Sequence, residues 1–314
     1  MRLRTLIAAS ALVLTATVSH ANEFINVLTG GTSGVYYPLG VSLTQIYGKA
    51  IPGAKTSVQA TKASAENLNL LQAGRGEVGF TLGDTLSEAW KGNEEVGFKT
   101  PLKKLRTIAG IYPNYIHFIA SADSGIKTLA DLKGKKVSVG APKSGTEINS
   151  REILKAVGMS YKDLGKVEYL GYAESMELIK NRQIDATLQS SGLGMAAVRD
   201  LATAVKIVLI PIPADVVAKI GDAAYSTGVF PANTYNGQTT DVPAITVQNY
   251  LVTHEGVSTD TVYKMTKSMF ENLDAMIAAH AAAKAIDKDK AGKGSPVPLH
   301  PGAEKYYREA GFIK

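Results

Sequence analysis

Two short loops hold the residues best suited to bind an anion, and they lie in different halves of the chain: LTGGTSGVYY at Leu28–Tyr37 and VGAPKSGTEINS at Val139–Ser150. Each mixes glycine with hydroxyl side chains where a strand pattern gives way to a helix pattern. Backbone N–H groups and hydroxyls at such a junction sit beside the positive end of a helix dipole, which favours an oxyanion without a metal or a catalytic histidine. Either loop alone has a second reading, a tight turn in which glycine supplies unusual backbone angles while Thr32 or Ser33, or Ser144 or Thr146, caps the helix. Together they predict a ligand held between two lobes. Lys143 in the second loop can face that ligand or water, and Tyr36, Tyr37 and Tyr112 can pack or offer a hydroxyl.

Other motifs fail on context. GRGEVG at Gly74–Gly79 matches G-x-G-x-x-G, but a helical segment precedes it and a strand follows, the reverse of a dinucleotide site. Gly74 reads instead as a helix C-cap. GGTSG lacks the Gly-Lys-Ser/Thr ending of a P-loop. Ser124-Gly-Ile-Lys127 has the S-x-x-K spacing of penicillin-binding enzymes without their S-D-N and K-T-G partners, and no G-x-S-x-G occurs. His117, His254, His280 and His300 form no H-x-H or H-E-x-x-H pair, so no metal site and no cofactor are expected.

The elements that must place the two loops alternate along the chain. FINVL precedes a helix from Val35 to Tyr47, SVQAT one from Ser64 to Gln72, and VGFTL one beginning near Asp84. A second series runs from KVSVG through VEYLGY and IDATLQ to VKIVLIPI, with helices over 146–157, 174–180 and 193–202. This rhythm predicts parallel α/β sheets. Between the series, LRTIAGIYPNYIHFIASA reads as two strands broken at Pro113. AITVQNYLVTH reads as a long return strand, followed by helices over 259–285 and 302–310. The chain is thus expected to build one lobe from 22–121 plus 243–314 and the other from 122–242, with a hinged cleft between. A single continuous doubly wound sheet is the competing arrangement. Only DKDKAGKG, at Asp287–Gly294, resembles a flexible charged tip.

Residues 1–21 have the form of a secretory signal peptide: Arg2 and Arg4, an apolar stretch too short to span a bilayer, and small residues at Ser19 and Ala21. Export to the periplasm with cleavage after about Ala21 is expected. The chain has 314 residues, no cysteine and a net charge of +6, two of its basic residues lying in that leader. The remaining charge is mild and scattered, with no basic–aromatic stripe, so no nucleic-acid partner is expected. Without disulfides the fold depends on its core, for which 45% apolar residues suffice.

Five ordered motifs make the chain resemble the TAXI-type periplasmic solute-binding proteins of TRAP transporters, a group that includes immunogenic-antigen-like proteins. These are GGTSGVYYPLG at Gly30–Gly40, the helix start Ser64–Asn67, the long segment Ile111–Glu147, the IDA strand at Ile184, and LHPGAEKYYREAG at Leu299–Gly311. The resemblance implies a type II periplasmic-binding fold, two α/β lobes joined by hinge strands around a central cleft. It also implies a monomer that closes on a small carboxylate such as glutamate or 2-oxoglutarate and delivers it to a fused-type TRAP membrane permease. Ligand-facing positions carry over to Gly31, Thr32, Gly34, Tyr36, Ser64, Asn67, Tyr112, Ser144, Gly145 and Thr146, and more weakly to Ser190 and Ser191. Lys143 joins them by position alone. Gly83, Lys143 and Gly194 depart from the family pattern. A cleft-facing Asp84 would attract the ammonium of glutamate, whereas Lys143 and the two serines would favour a second carboxylate. An exported enzyme acting on a small carboxylate, and a surface adhesin, are the competing functions.

Overall fold

Buried apolar runs bounded by turn residues become the strands, and amphipathic segments between them become the helices. The computed structural model describes residues 23–314; the expected signal peptide lies outside them. The first series is β1 (Phe24–Leu28), α1 (Tyr36–Ala50), β2 (Lys55–Gln59), α2 (Ser64–Gln72), β3 (Val78–Leu82) and α3 (Gly83–Lys91), leading into the long β4 (Leu105–Ser121). The second is β5 (Lys136–Ser138), α4 (Gly145–Ala156), β6 (Lys166–Glu168), α5 (Tyr172–Lys180), β7 (Ala186–Ser191), α6 (Ala196–Ala204), β8 (Ile207–Leu209), α7 (Ala214–Ile220) and β9 (Tyr225–Phe230). The chain returns through β10 (Val242–His254) and ends with α8 (Thr259–Glu271), α9 (Leu273–Ala279), α10 (Lys288–Ala291) and α11 (Pro301–Glu309).

The strands are ordered β2-β1-β3-β10-β4-β7-β5-β6, with β8 added to β4 and β9 to β10. Pairing is parallel within β2-β1-β3 and β7-β5-β6, and antiparallel wherever β4 or β10 takes part. These two long strands join two α/β units, and the core divides accordingly. One pair of apolar clusters draws on β1, β3, α1, α2, α8 and α11, with Ile111, Tyr112, Tyr250 and Leu251 from the long strands. The other pair draws on β5, β7, α4, α5 and α6, with Ile116, Phe118, Ile245 and Val247. Side chains on β4 therefore change lobe between Tyr112 and Ile116, and those on β10 between Val247 and Tyr250.

That crossover explains where the strand reading failed. Pro113 does not break the run; it sits within the continuous 17-residue strand β4. It faces Gln248 beside a shift in register with β10, the kind of irregularity that tolerates a residue without an N–H. The expected long C-terminal helix is instead divided at Asn272 and again at His280. The charged stretch at Asp287–Gly294 carries α10, capped by the Asp287 carboxylate. Gly74 follows α2 at a φ of 66°, the left-handed end expected of it.

Candidate functional site

A cavity of about 210 Å³ opens between the lobes where their loops meet. The first lobe lines it with Gly30, Gly31, Gly34, Val35, Tyr36 and the turn Thr61-Lys62-Ala63. The second lines it with Ala141, Ser144, Thr146, Gly171, Tyr172, Ser190 and Ser191, and Tyr112 and Asn114 reach in from β4.

The first loop leaves its helix end open. Neither Thr32 nor Ser33 caps α1: the N-cap is Val35, with no side-chain hydrogen bond, and Pro38 in the first turn has no N–H. The amides of Tyr36 and Tyr37 therefore stand at the positive end of a 15-residue helix that carries no acidic residue in its first turn. The second loop is built differently. Ser144 Oγ accepts from Glu147 N at 3.1 Å and donates to Ala141 O at 2.7 Å, so this hydroxyl caps α4. Gly140, at a φ of 100°, brings the loop so close to α4 that a β-carbon there would lie 2.7 Å from Thr146 Cγ2.

Hydroxyls and amides form a connected wall behind these loops. Tyr172 donates to Ser190 O at 2.5 Å and pairs with Thr146 Oγ1 at 2.8 Å. Because Tyr172 gives its proton to Ser190, Thr146 must be the donor in the second bond. Asn114 Nδ2 also donates to Ser190 O, at 2.8 Å, while its Oδ1 accepts from Asn249 Nδ2 at 2.8 Å. Asn249 in turn accepts from the hydroxyl of Tyr36, whose ring stacks on Phe80. One polar chain thus runs across both crossing strands from the first loop to the second.

Tyr112 stands apart in this wall. It is buried, it lines the cavity, and its hydroxyl has no hydrogen-bond partner among the described residues. Burial, with Tyr36 and Tyr172 nearby, pushes its ionisation well above the ordinary range, so it is a neutral donor. Leaving such a group unpaired costs about 1–3 kcal/mol, a cost that a ligand oxygen in the cavity would remove.

Of the residues singled out from sequence, Gly31, Gly34, Tyr36, Tyr112, Ser144, Thr146, Ser190 and Ser191 line the cavity. Thr32 is exposed and does not. Ser64 and Asn67 lie a layer behind: Ser64 Oγ accepts from Leu82 N, and Asn67 Nδ2 donates to Thr29 O at 2.7 Å and Phe80 O at 2.8 Å. Asn67 therefore holds the strand end that carries the first loop. Gly145 packs on the first lobe rather than on the cavity, with a β-carbon at its position falling 2.6 Å from Leu82 Cδ1 and 2.7 Å from Ser64 Oγ. Lys143 is exposed, has a φ of 62° and lines a separate surface groove with Lys62 and Lys99. Asp84 is buried away from the cavity, bonded to Asn149 and Tyr225. His117 is held by Tyr115 O and the Tyr235 hydroxyl, and among the described residues no group of acidic, histidine or cysteine side chains could hold a metal.

Sequence reasoning missed Tyr172, Asn114 and the Thr61–Ala63 turn. The signal for Tyr172 was present, because Gly171-Tyr172 opens α5 after β6 just as the two chosen loops open α1 and α4. Asn114 was hidden by reading Pro113 as a break.

The chain belongs to the NMT1-like family, whose model matches residues 27–311. Solved structures with a similar fold include MatC from Rhodopseudomonas palustris with bound malate, at 13% identity over 92% of this chain and 97% of that one, TM-score 0.58. A putative L-cystine ABC transporter from Listeria monocytogenes is similar at 15% identity over 84% and 98%, TM-score 0.53. A structure described as a periplasmic transporter matches at 14% identity over 93% of each chain, TM-score 0.55. The two-lobed periplasmic-binding architecture expected from sequence is the one found. No helix among the described residues is long and apolar enough to cross a membrane.

Proposed function

We propose that this NMT1-like protein is an exported solute-binding protein that captures a small carboxylate between its lobes and delivers it to a TRAP-type membrane permease. The observation that carries the reading is the buried, unpartnered hydroxyl of Tyr112, a residue that lines a cavity faced by two helix amino ends. Both ends border one space, α1 with no acidic residue in its first turn, and the second carboxylate of a diacid would lie between α4 and Lys62. Such contacts, each worth about 0.3–1 kcal/mol exposed and more once water is excluded, add with Tyr112 toward the roughly 8 kcal/mol that micromolar affinity requires.

Ligand charge follows from the lining. Lys62 is its one side chain charged at neutral pH among the described residues, and no Asp or Glu lines the cavity to receive an ammonium. An oxo- or hydroxy-dicarboxylate, 2-oxoglutarate being the model compound, therefore fits better than glutamate. The malate carried by MatC, a protein of similar fold, accords with this class. Among the described residues no nucleophile–base pair lines the cavity, which favours capture over the alternative of an exported enzyme.

A thermal-shift screen of dicarboxylates and amino acids tests the reading, since a ligand of the folded state must raise the melting temperature. A rise with 2-oxoglutarate or a close analogue, larger than with glutamate, is expected. A flat screen would favour an adhesin-like role, and ligand turnover an enzyme.

A further inference from the structure

Asp84 is a buried carboxylate at the boundary between the lobes, with no part in the cavity. It is the second residue of α3 and is 2% exposed. Its Oδ1 accepts from Thr85 N at 2.6 Å. Its Oδ2 reaches into the other lobe, accepting from Asn149 Nδ2 at 2.7 Å and from the Tyr225 hydroxyl at 2.6 Å. Asn149 Nδ2 also donates to the Tyr225 oxygen, at 2.9 Å, closing a triangle. Asn149 lies one turn into α4, whose first turn presents Thr146 to the cavity.

We propose that Asp84 is a positioning residue for lobe closure: through Asn149 and Tyr225 it docks α4, and with it the Ser144–Thr146 loop, against the first lobe. The clasp also couples closure to a proton. All of its hydrogen-bond partners are neutral, so burying the carboxylate on closure is uncompensated by any cation in direct contact. The charged groups around it, Glu88 and Glu95 from the first lobe and Arg151, Glu152, Lys155 and Asp222 from the second, line with Asp84 a second cavity of about 430 Å³ and are mixed in sign. Asp222 adds repulsion, and desolvation is the largest effect, raising Asp84 from 3.8 to about 6.

The triangle can accommodate the proton. Asn149 Oδ1 is buried without a partner among the described residues. A turn of that amide would bring an acceptor to a protonated Asp84, so the docked state can be held in either charge state. An Asp84 that is hydrated when the lobes part returns toward its ordinary value. Closing then takes up a proton, and falling pH favours the closed form.

The test is made without ligand, so it can fail while the solute-binding reading stands. The chain has no native cysteine. Cysteines at exposed Lys99 and Lys162, one in each lobe, would carry spin labels for inter-lobe distance measurement. Between pH 7.5 and 5 the closed-to-open ratio should rise about tenfold with Asp84 present. Asp84→Asn should abolish the pH response, and Tyr225→Phe should lower the ratio about fivefold at neutral pH while keeping that response. An Asp84→Asn protein with the parent's pH response, a parent with none, or an unchanged ratio in Tyr225→Phe would each overturn the proposal.

Discussion

Gly145 of the second lobe lies against Ser64 of the first so closely that a β-carbon on Gly145 would fall 2.7 Å from the serine oxygen. Leu82 Cδ1 at 2.6 Å and Thr85 Oγ1 at 3.0 Å complete the wall it meets. The position admits glycine alone only when the lobes are together. Gly145→Ala should therefore act on closure rather than on the fold of either lobe. We expect ligand affinity to fall at least about tenfold, with the melting temperature of the free protein within about 3 °C of wild type. Calorimetric titration beside a thermal melt separates the two.

Tyr112→Phe removes a hydroxyl that has no partner among the described residues of the free protein. Stability should stay level or rise slightly, because no hydrogen bond is lost and a buried unpaired group disappears. Affinity should fall about five- to tenfold, the worth of one hydrogen bond to a ligand oxygen. Chemical denaturation and ligand titration on the same variant would show the two quantities moving independently.

Asn67→Ala should behave in the opposite way. Its fully buried amide holds Thr29 O and Phe80 O and accepts from Thr61 Oγ1 at 2.6 Å. Removing it leaves several buried groups unpaired, a loss of about 2–4 kcal/mol in unfolding free energy. Urea denaturation reads this directly, and a loss under about 1 kcal/mol would show that water replaces the amide.

Lys143→Gly tests the second loop. The lysine occupies a left-handed conformation that favours glycine and points to a surface groove rather than the cavity. Affinity should change less than twofold and the melting temperature should not fall. A large loss of affinity would return the ammonium to the ligand, where sequence position alone had placed it.

How far the site could be read in advance depended on the kind of signal. Glycine and hydroxyl clusters at strand–helix junctions mark close backbone approaches, so the loops at Gly30–Gly34 and Ser144–Thr146 were legible. Tyr172 follows the same rule with a single glycine and passed unnoticed. Side-chain direction was not legible: Thr32, Ser64, Gly145 and Lys143 sit in or beside the right segments, yet each faces elsewhere, and only tertiary packing decides that. The alternation of strands and helices foretold the two α/β units. Pro113 misled because a register shift beside Gln248, which no local pattern announces, tolerates it.

The pH dependence of stability should be flatter than either buried titrating group would give alone. Desolvation raises Asp84 from 3.8 to about 6, so it contributes stability at low pH that is lost as pH rises through 6. Desolvation lowers His117 from 6.5 to about 4, so its contribution is present above 6.5 and is lost as pH falls toward 4. The two oppose each other over the same window. In Asp84→Asn the His117 slope should emerge, with the melting temperature falling more steeply between pH 6.5 and 4 than in wild type. Thermal melts across that range check the sign.

The two loops and Tyr112 are proposed to form one binding site for a small dicarboxylate. Calorimetric titration of 2-oxoglutarate and related diacids into wild type and the Tyr112→Phe/Gly145→Ala double variant measures whether both lobes hold the ligand. Micromolar or tighter binding of a diacid to wild type and a loss of at least about fiftyfold in the double variant are expected. Diacid binding of equal strength in both proteins, or no binding of any diacid to wild type, would contradict it.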